Sequence, residues 1–280
     1  MTEPQKPAGE HKSRGAQKQK GRGGGGGGGR GGGGGGGGSS KLRGLPKDSP
    51  EVRVSKTLSW ILRHGAKAEG LPMREDGFVR VADLLAAPKI KSTGLDLERL
   101  QEIVRADGKQ RYTLLEGPDA ARAEAGDVWW IRANQGHSMK DVKLDLKPVL
   151  SANDIPMAVH GTNKKAWDSI STQGLSKMTR NHIHLAQGVP GDGVLSGMRA
   201  SSQVYIYIDI QKALDAGLEF FLSENGVVLT EGDSHGFLKP EYFSRVEDRN
   251  GQLLAGVKLG AIPPGETEGA AATVSAGAKT

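Results

Sequence analysis

Cysteine is absent from the 280 residues, which excludes a disulfide framework and any thiolate metal centre. No apolar run approaches the ~18 residues that a membrane-spanning helix needs. The polar, lysine-rich start lacks the apolar stretch of a secretory signal, so a soluble intracellular protein, cytoplasmic or nuclear, is expected. Net charge is also scarce where a core can form. The formal charge is +6, but residues 1–44 hold nine lysines and arginines against Glu3 and Glu10, and that segment alone accounts for the positive balance. Long-range attraction to RNA phosphates therefore belongs to the N-terminal segment, and any anion site in the body has to be built locally.

Residues 21–38 are sixteen glycines broken only by Arg22 and Arg30. Glycine loses the most conformational entropy on ordering, so residues 1–47 read as a disordered basic Gly/Arg-rich tail. The Gly, Ala, Pro and Thr of 258–280 read as a second one. The length between them suffices for one large domain or two small ones.

Ser49-Pro50-Glu51 is a helix start, with Ser as N-cap, Pro at the first position and an acid in the first turn. Val54, Leu58, Ile61 and Leu62 recur at helical spacing and Gly65 is a stop, which leaves Arg63 and His64 in the last turn. Cations there complement the macrodipole, so the pair alone is weak evidence of a site. Asp76-Gly77 predicts a turn, 78–81 a short strand, Asp83-Leu84-Leu85 the start of a second helix, and 96–106 a third. Strands over 111–115 and 128–131 follow, with a wing-tip loop over 116–127 between them. This is the order of a winged helix over 48–139, a fold that serves nucleic acids and plain scaffolds alike. Residues 140–156, with two prolines, read as a linker. The part from 157 to 257 reads as mostly β, with strands over 157–160, 182–186 and 204–210 and one helix over 164–172. A hairpin of 219–222 and 227–230 turns at Glu224-Asn225-Gly226. The fold class expected is α+β.

The stretch Ile131-Arg132-Ala133-Asn134-Gln135-Gly136-His137-Ser138 is where an apolar strand runs out into a polar loop, a common place for function. Arg132, Asn134, Gln135 and His137 are candidate RNA- or phosphate-binding residues; the alternative is that they brace the seam between the two halves. His160-Gly161-Thr162 ends a strand ahead of a helix. Its glycine lets a ligand approach the backbone, and the hydroxyl and the helix start can hold a polar group, although a plain strand-to-helix turn has the same look. His182 and His184 share a strand face, but no third ligand lies at zinc spacing, so no metal is expected. The glycine-rich stretch 188–193 lacks both the Lys-Ser/Thr ending of a P-loop and the dinucleotide fingerprint. Arg199 follows Ser196-Gly197-Met198, whose flexibility suits delivery of a planar guanidinium to phosphate oxygens.

Six segments occur in a fixed order: Leu62-Arg63-His64-Gly65, Lys109-Gln110-Arg111-Tyr112, the 131–138 stretch, His160-Gly161-Thr162, His182-Ile183-His184-Leu185 and Ser196-Gly197-Met198-Arg199. Together they closely resemble the RNA 2′-phosphotransferase family, the enzymes that remove the splice-junction 2′-phosphate from tRNA. The resemblance runs over roughly residues 52–245. It implies a winged-helix N-terminal lobe joined to an ADP-ribosyltransferase-like mixed β lobe, with NAD consumed as co-substrate and 2′-phosphorylated tRNA or RNA as partner. A monomer is expected. The family's catalytic Arg-His-Arg-Arg set would fall on Arg63, His64, Arg111 and Arg199, and NAD binding on His160, Gly161, Thr162 and His184. The implied reaction moves the 2′-phosphate to NAD and leaves a 2′-hydroxyl, ADP-ribose 1″,2″-cyclic phosphate and nicotinamide. The residue types suit this chemistry, since arginines neutralise a phosphate without deprotonating and His64 titrates near neutrality. Tyr112 stands where Phe is usual in the family. The strand at 227–229 lacks the glutamate of protein-modifying ADP-ribosyltransferases.

Two other readings remain at this point. An ADP-ribosyltransferase that caps terminal phosphates of nucleic acids would stop after the first step and would not need the full Arg-His-Arg-Arg set. A non-catalytic RNA-binding protein relying on its Gly/Arg tail would need none of it.

Overall fold

A computed structural model describes residues 48–119, 126–190 and 196–254. The expectations for the two tails, for the tip of the 116–127 loop and for the end of the glycine-rich stretch lie outside these residues. Helix α1 (Pro50–Trp60) begins as the sequence dictates: the Ser49 side chain accepts from the Val52 amide at 3.3 Å, with Pro50 and Glu51 in the first turn. It does not end cleanly. A π-helical turn, Ile61–Gly65, follows without a break and carries Arg63 and His64.

Strand β1 (Val79–Arg80) is shorter than the predicted strand, because Val81 already opens α2 (Val81–Ala86). After α3 (Pro88–Lys91), helix α4 (Leu97–Ala106) starts on Asp96, whose carboxylate accepts from the Arg99 amide at 2.8 Å. Strands β2 (Tyr112–Pro118) and β3 (Asp127–Ala133) complete an antiparallel sheet in the order β1-β3-β2. Helices and sheet share one core, in which Leu58, Ile61, Leu62, Leu84, Ile90, Leu100 and Ile131 are fully buried. Burying one such side chain contributes about 1.5–3 kcal/mol, so the π turn, with Ile61 and Leu62 inside the core, is anchored by packing.

The expected linker is partly a strand. Within it, β4 (Lys147–Val149) opens a second set of elements: β5 (Val159–Thr162), α5 (Lys164–Gln173), β6 (Leu175–Ser176), β7 (Ile183–Leu185), β8 (Val204–Ile208) and α6 (Ile210–Asp215), then β9 (Phe220–Leu222), β10 (Val228–Thr230), β11 (Phe237–Leu238) and β12 (Phe243–Asp248). They form antiparallel sheets ordered β4-β9-β10-β7, β12-β8-β5 and β11-β6. The fold is therefore mixed, with several small antiparallel sheets and few helices. Besides the short strands β4, β6 and β11, helix α6 and strand β12 had no counterpart in the sequence pattern. Ile208 and Ile210 are both buried, which extended the apparent strand into α6; Asp209 separates them, its carboxylate accepting from the Lys212 amide at 3.0 Å. Strand β12 went unnoticed although it pairs along the whole of β8.

A second core lies among these strands, around Phe220, Phe243, Leu185 and Ile206. Val159 and Ala186 exchange two backbone hydrogen bonds of 2.8 Å and so join β5 to the end of β7. That bridge brings His160-Gly161-Thr162 beside His184. The two parts of the chain meet at Asn225, whose amide donates to Lys109 O and to Ser196 Oγ, both at 3.1 Å.

Candidate active site

The π turn fixes the first two site residues. Gly65 is required there, since a Cβ would lie 2.6 Å from the Trp60 ring. The 131–138 loop then folds over the turn. Gly136, at φ +89°, lies against the Arg63 side chain, with a Cβ position 3.3 Å from its Cδ. Ser138 donates its amide to Arg63 O at 3.0 Å, and its hydroxyl is 2.9 Å from His64 Nδ1. Arg63 Nε and Nη2 are buried without a hydrogen-bond partner. Burial, with Arg180 and Arg111 adding like charge, pulls the Arg63 pKa down to about 10, so the group stays charged at neutrality. Burial first, and then Arg180 and Arg63, push His64 down to about 4, which makes it a neutral imidazole at pH 7.

Arg111 follows a strained residue, Gln110 at φ +46°, and both ends of Arg111 are held by Asp107. The Asp107 carboxylate accepts from the Arg111 amide at 2.7 Å and pairs with its guanidinium. The hydroxyl of Tyr112 explains itself: it lies 2.6 Å from Ser59 Oγ and donates to Ser55 O at 2.9 Å, tying β2 to α1.

Three neighbouring cavities share these groups. The smallest, about 200 Å³, is lined by Lys56, Ser59, Arg63, His64, Arg111 and Arg180. A second, about 600 Å³, adds Lys109, Gln135 and Arg199 and reaches His160, Gly161, Thr162 and His184. The third, about 540 Å³, runs under α5 between His160, His182, His184 and Arg199. Arg180 lines all three. The sequence reading passed over it. It sits in a turn where its amide donates to Lys177 O at 3.0 Å, and the next amide, of Asn181, donates to His137 O at 2.9 Å. Burial and the Arg199 charge lower its pKa. Arg199 is exposed and lines the two larger cavities but not the one beside His64. Gly197, expected to give Arg199 freedom, instead packs tightly: at φ +95° its Cβ position is 2.9 Å from Ala186 Cα.

The four residues proposed for RNA or phosphate contact separate. Gln135 lines the 600 Å³ cavity. Arg132 is paired with Glu224 at 3.0 Å and donates to Asp76 O at 3.3 Å. Asn134 donates to Gln110 O at 2.9 Å, and its Oδ1 accepts from Thr113 Oγ1 at 2.6 Å. His137 is 3% exposed with neither ring nitrogen hydrogen-bonded, and burial, followed by the Arg63 charge, drives its pKa to about 3. Of these three, Arg132 reaches across to the second part of the chain, Asn134 holds β2 and β3 within the first, and the His137 ring is buried without a hydrogen-bond partner. Of the dinucleotide candidates, His160 Nδ1 is 3.0 Å from His184 O and so carries the proton, leaving Nε2 free. His184 is buried with Nε2 unpartnered, and burial followed by Arg180 holds its pKa well below the usual value. A Cβ on Gly161 would lie 2.4 Å from Met198 Cγ, so the glycine permits the 196–199 loop to close against β5. A separate cavity of about 660 Å³ near Arg74, Arg80 and Trp130 also carries Glu69, Asp83 and Asp119 and shares no residue with the cationic cavities.

Comparison with known proteins decides the class. A model of the RNA 2′-phosphotransferase, Tpt1/KptA family matches residues 49–232. The chain belongs to this family. It is 49% identical over 208 residues to a Schizosaccharomyces pombe protein provisionally named a tRNA 2′-phosphotransferase, a match that covers 74% of the chain and 54% of that relative. It is 48% identical over 204 residues to tRNA 2′-phosphotransferase 1 of Danio rerio, covering 72% and 87%. With the tRNA 2′-phosphotransferase of Saccharomyces cerevisiae the identity is 36% over 193 residues, covering 66% and 81%. The chain thus spans about half of the first relative and most of the other two. A member of the RNA 2′-phosphotransferase family is a transferase.

Proposed function

We propose that this chain removes the splice-junction 2′-phosphate of ligated tRNA by passing it to NAD, leaving a 2′-hydroxyl, ADP-ribose 1″,2″-cyclic phosphate and nicotinamide. The single observation that carries the reading is the lining that two cavities share. Arg63, Arg111 and Arg180 wall a pocket in which no carboxylate is found among the described residues, and the same three line the cavity of His160, Gly161, Thr162 and His184. We read residues 48–139 as a winged-helix lobe and 157–257 as an ADP-ribosyltransferase-like lobe, with the reaction at their seam.

The residues present fit both ligands. The unpartnered Nε and Nη2 of Arg63 are donors waiting for an anion, and a buried donor left unpaired costs about 1–3 kcal/mol. Arg111, pre-set by Asp107, and Arg180 complete a three-guanidinium cradle that orients the 2′-phosphate and stabilises the charge moving through it. His160, Gly161, Thr162 and His184 would hold NAD, with the free His160 Nε2 and His184 Nε2 as hydrogen-bonding positions. When bound, NAD supplies an electrophilic ribose carbon whose leaving group, nicotinamide, departs readily. His64 enters as a neutral imidazole. It accepts the ribose 2″-hydroxyl proton and returns it to the departing RNA 2′-oxygen, with Ser138 fixing the ring.

The test is an oligoribonucleotide with one labelled internal 2′-phosphate, incubated with the protein with and without NAD. Loss of label from RNA only with NAD, and its recovery in ADP-ribose cyclic phosphate, is the expected result. RNA that keeps its phosphate in both tubes would overturn the reading.

A further inference from the structure

The 600 Å³ cavity holds more positive charge than this reaction consumes. Lys56, Arg63, Lys109, Arg111, Arg180 and Arg199 line it, and among the described residues no Asp or Glu does. A phosphomonoester carries about −1.5 to −2 charges at neutral pH, and the pyrophosphate of a dinucleotide adds a negative charge on each phosphate. Arg111 already has Asp107 and Lys56 has Asp48. Among the described residues Arg63, Lys109, Arg180 and Arg199 have no carboxylate partner, and these four match the charge of the two ligands. Arg111 has its place in the phosphate cradle proposed above, which leaves Lys56 as the lining cation without a role.

Its position is informative. Lys56 lies on α1, seven residues and roughly 10 Å of helical rise before Arg63 on the π turn. Both residues line the 200 Å³ and the 600 Å³ cavities. The helix therefore has His64 and Arg63 at the reacting phosphate and Lys56 at the mouth. The Lys56 side chain is 37% exposed and its ammonium lies 2.7 Å from Oδ2 of Asp48, whose side chain is 14% exposed. The lysine side of the pair is open to solvent, so an anion arriving there competes with Asp48 for the ammonium. The anion tethered to a ribose whose 2′-phosphate sits on Arg63 is the adjoining internucleotide phosphodiester.

We propose that Lys56 is the subsite for the phosphodiester next to the 2′-phosphate, with Asp48 occupying the ammonium until RNA arrives. The consequence is selectivity: a 2′-phosphate inside an RNA chain is preferred to the same phosphate on a single nucleoside. This rests on the RNA 2′-phosphate reading above.

The experiment compares two substrates, an oligoribonucleotide with one internal 2′-phosphate and a nucleoside 2′-phosphate without any phosphodiester, in the full-length protein and its Lys56→Met and Asp48→Asn variants. For Lys56→Met the rise in KM on the oligonucleotide should exceed that on the nucleoside by about tenfold, the worth of one charge-assisted hydrogen bond. The salt slope of oligonucleotide binding should flatten by about 0.7. Asp48→Asn should lower the oligonucleotide KM about two- to threefold, because it frees the lysine. Equal losses on both substrates for Lys56→Met, or an Asp48→Asn variant as impaired as Lys56→Met, would mean that the pair merely supports the start of α1 and would sink the proposal. A wild-type protein that removes no phosphate condemns the reaction reading instead. In that case equilibrium binding of the same oligonucleotide still reads the subsite: Lys56→Met must weaken it.

Discussion

Arg180 shows what a single residue reveals only once the chain is folded. It is the one side chain lining all three cavities, and its charge lowers the pKa of Arg63, His64, His160 and His184. Arg180→Ala should therefore reduce kcat by about 10²–10³, the typical cost of removing one pre-set donor to developing charge; single-turnover release of the 2′-phosphate measures it. Arg199→Ala should act more through the KM for NAD, since Arg199 is absent from the pocket beside His64. His64→Ala should slow the second step more than the first, so that ADP-ribosylated RNA builds up on a gel. Comparable slowing of both steps would remove His64 from the proton path. At this scale the sequence was half legible. Arg63, His64 and Arg111 were singled out by the resemblance of six ordered segments to a family, since cations at a helix end are by themselves weak evidence of a site. Arg180 lay in plain view two residues before His182-Ile183-His184, but nothing local distinguishes a cavity arginine from a surface one. The glycine ahead of Arg199 drew attention for a freedom that the packing against Ala186 removes.

Among the elements, the ones with local signals were legible: capped helices at Ser49 and Asp96, and a hairpin around Glu224-Asn225-Gly226. What failed was either non-local or hidden by periodicity. A π turn has no composition signal, and α1 with its extension read as one ordinary helix to Gly65. The role of that glycine is steric. With a Cβ position 2.6 Å from the Trp60 ring, Gly65→Ala has to push the indole or unwind the turn, and overpacking of this type costs about 1–3 kcal/mol. Urea unfolding should show that loss. Trp60→Phe in the same background should recover part of it, because a smaller ring leaves room. A Gly65→Ala protein as stable as wild type would mean that the turn adjusts freely, and with it Arg63 and His64. Strand β12 and the pairing of β4 with β9 depend on partners far away in the chain, which no window of residues contains.

At the scale of the whole molecule two features expected from the sequence matter, the charge of the N-terminal segment and the seam between the two parts of the chain. Residues 1–44 hold all of the excess positive charge, so their deletion should weaken RNA binding and flatten its salt dependence, with turnover at saturating RNA unchanged. The seam is where acid should act. His137 is buried between the parts, and its neighbours are cations, Arg63 and Arg132 among them, with no acceptor on either ring nitrogen. The folded protein thus resists protonating it down to about pH 3, whereas the unfolded chain takes up that proton near pH 6.5. The unfolded state therefore binds more protons throughout that window. Stability is fully present above pH ~6.5 and falls as the pH drops towards 3, by about 2 kcal/mol for this one group between pH 7.5 and 5. Buried His184, depressed by the same surroundings, adds in the same direction. Denaturant titrations at the two pH values measure the total, and His137→Gln isolates the share of one ring. The variant should start from lower stability at pH 7.5, because packing is lost, yet lose less on going to pH 5. An unchanged pH slope in His137→Gln would show that the acid sensitivity of the fold originates elsewhere.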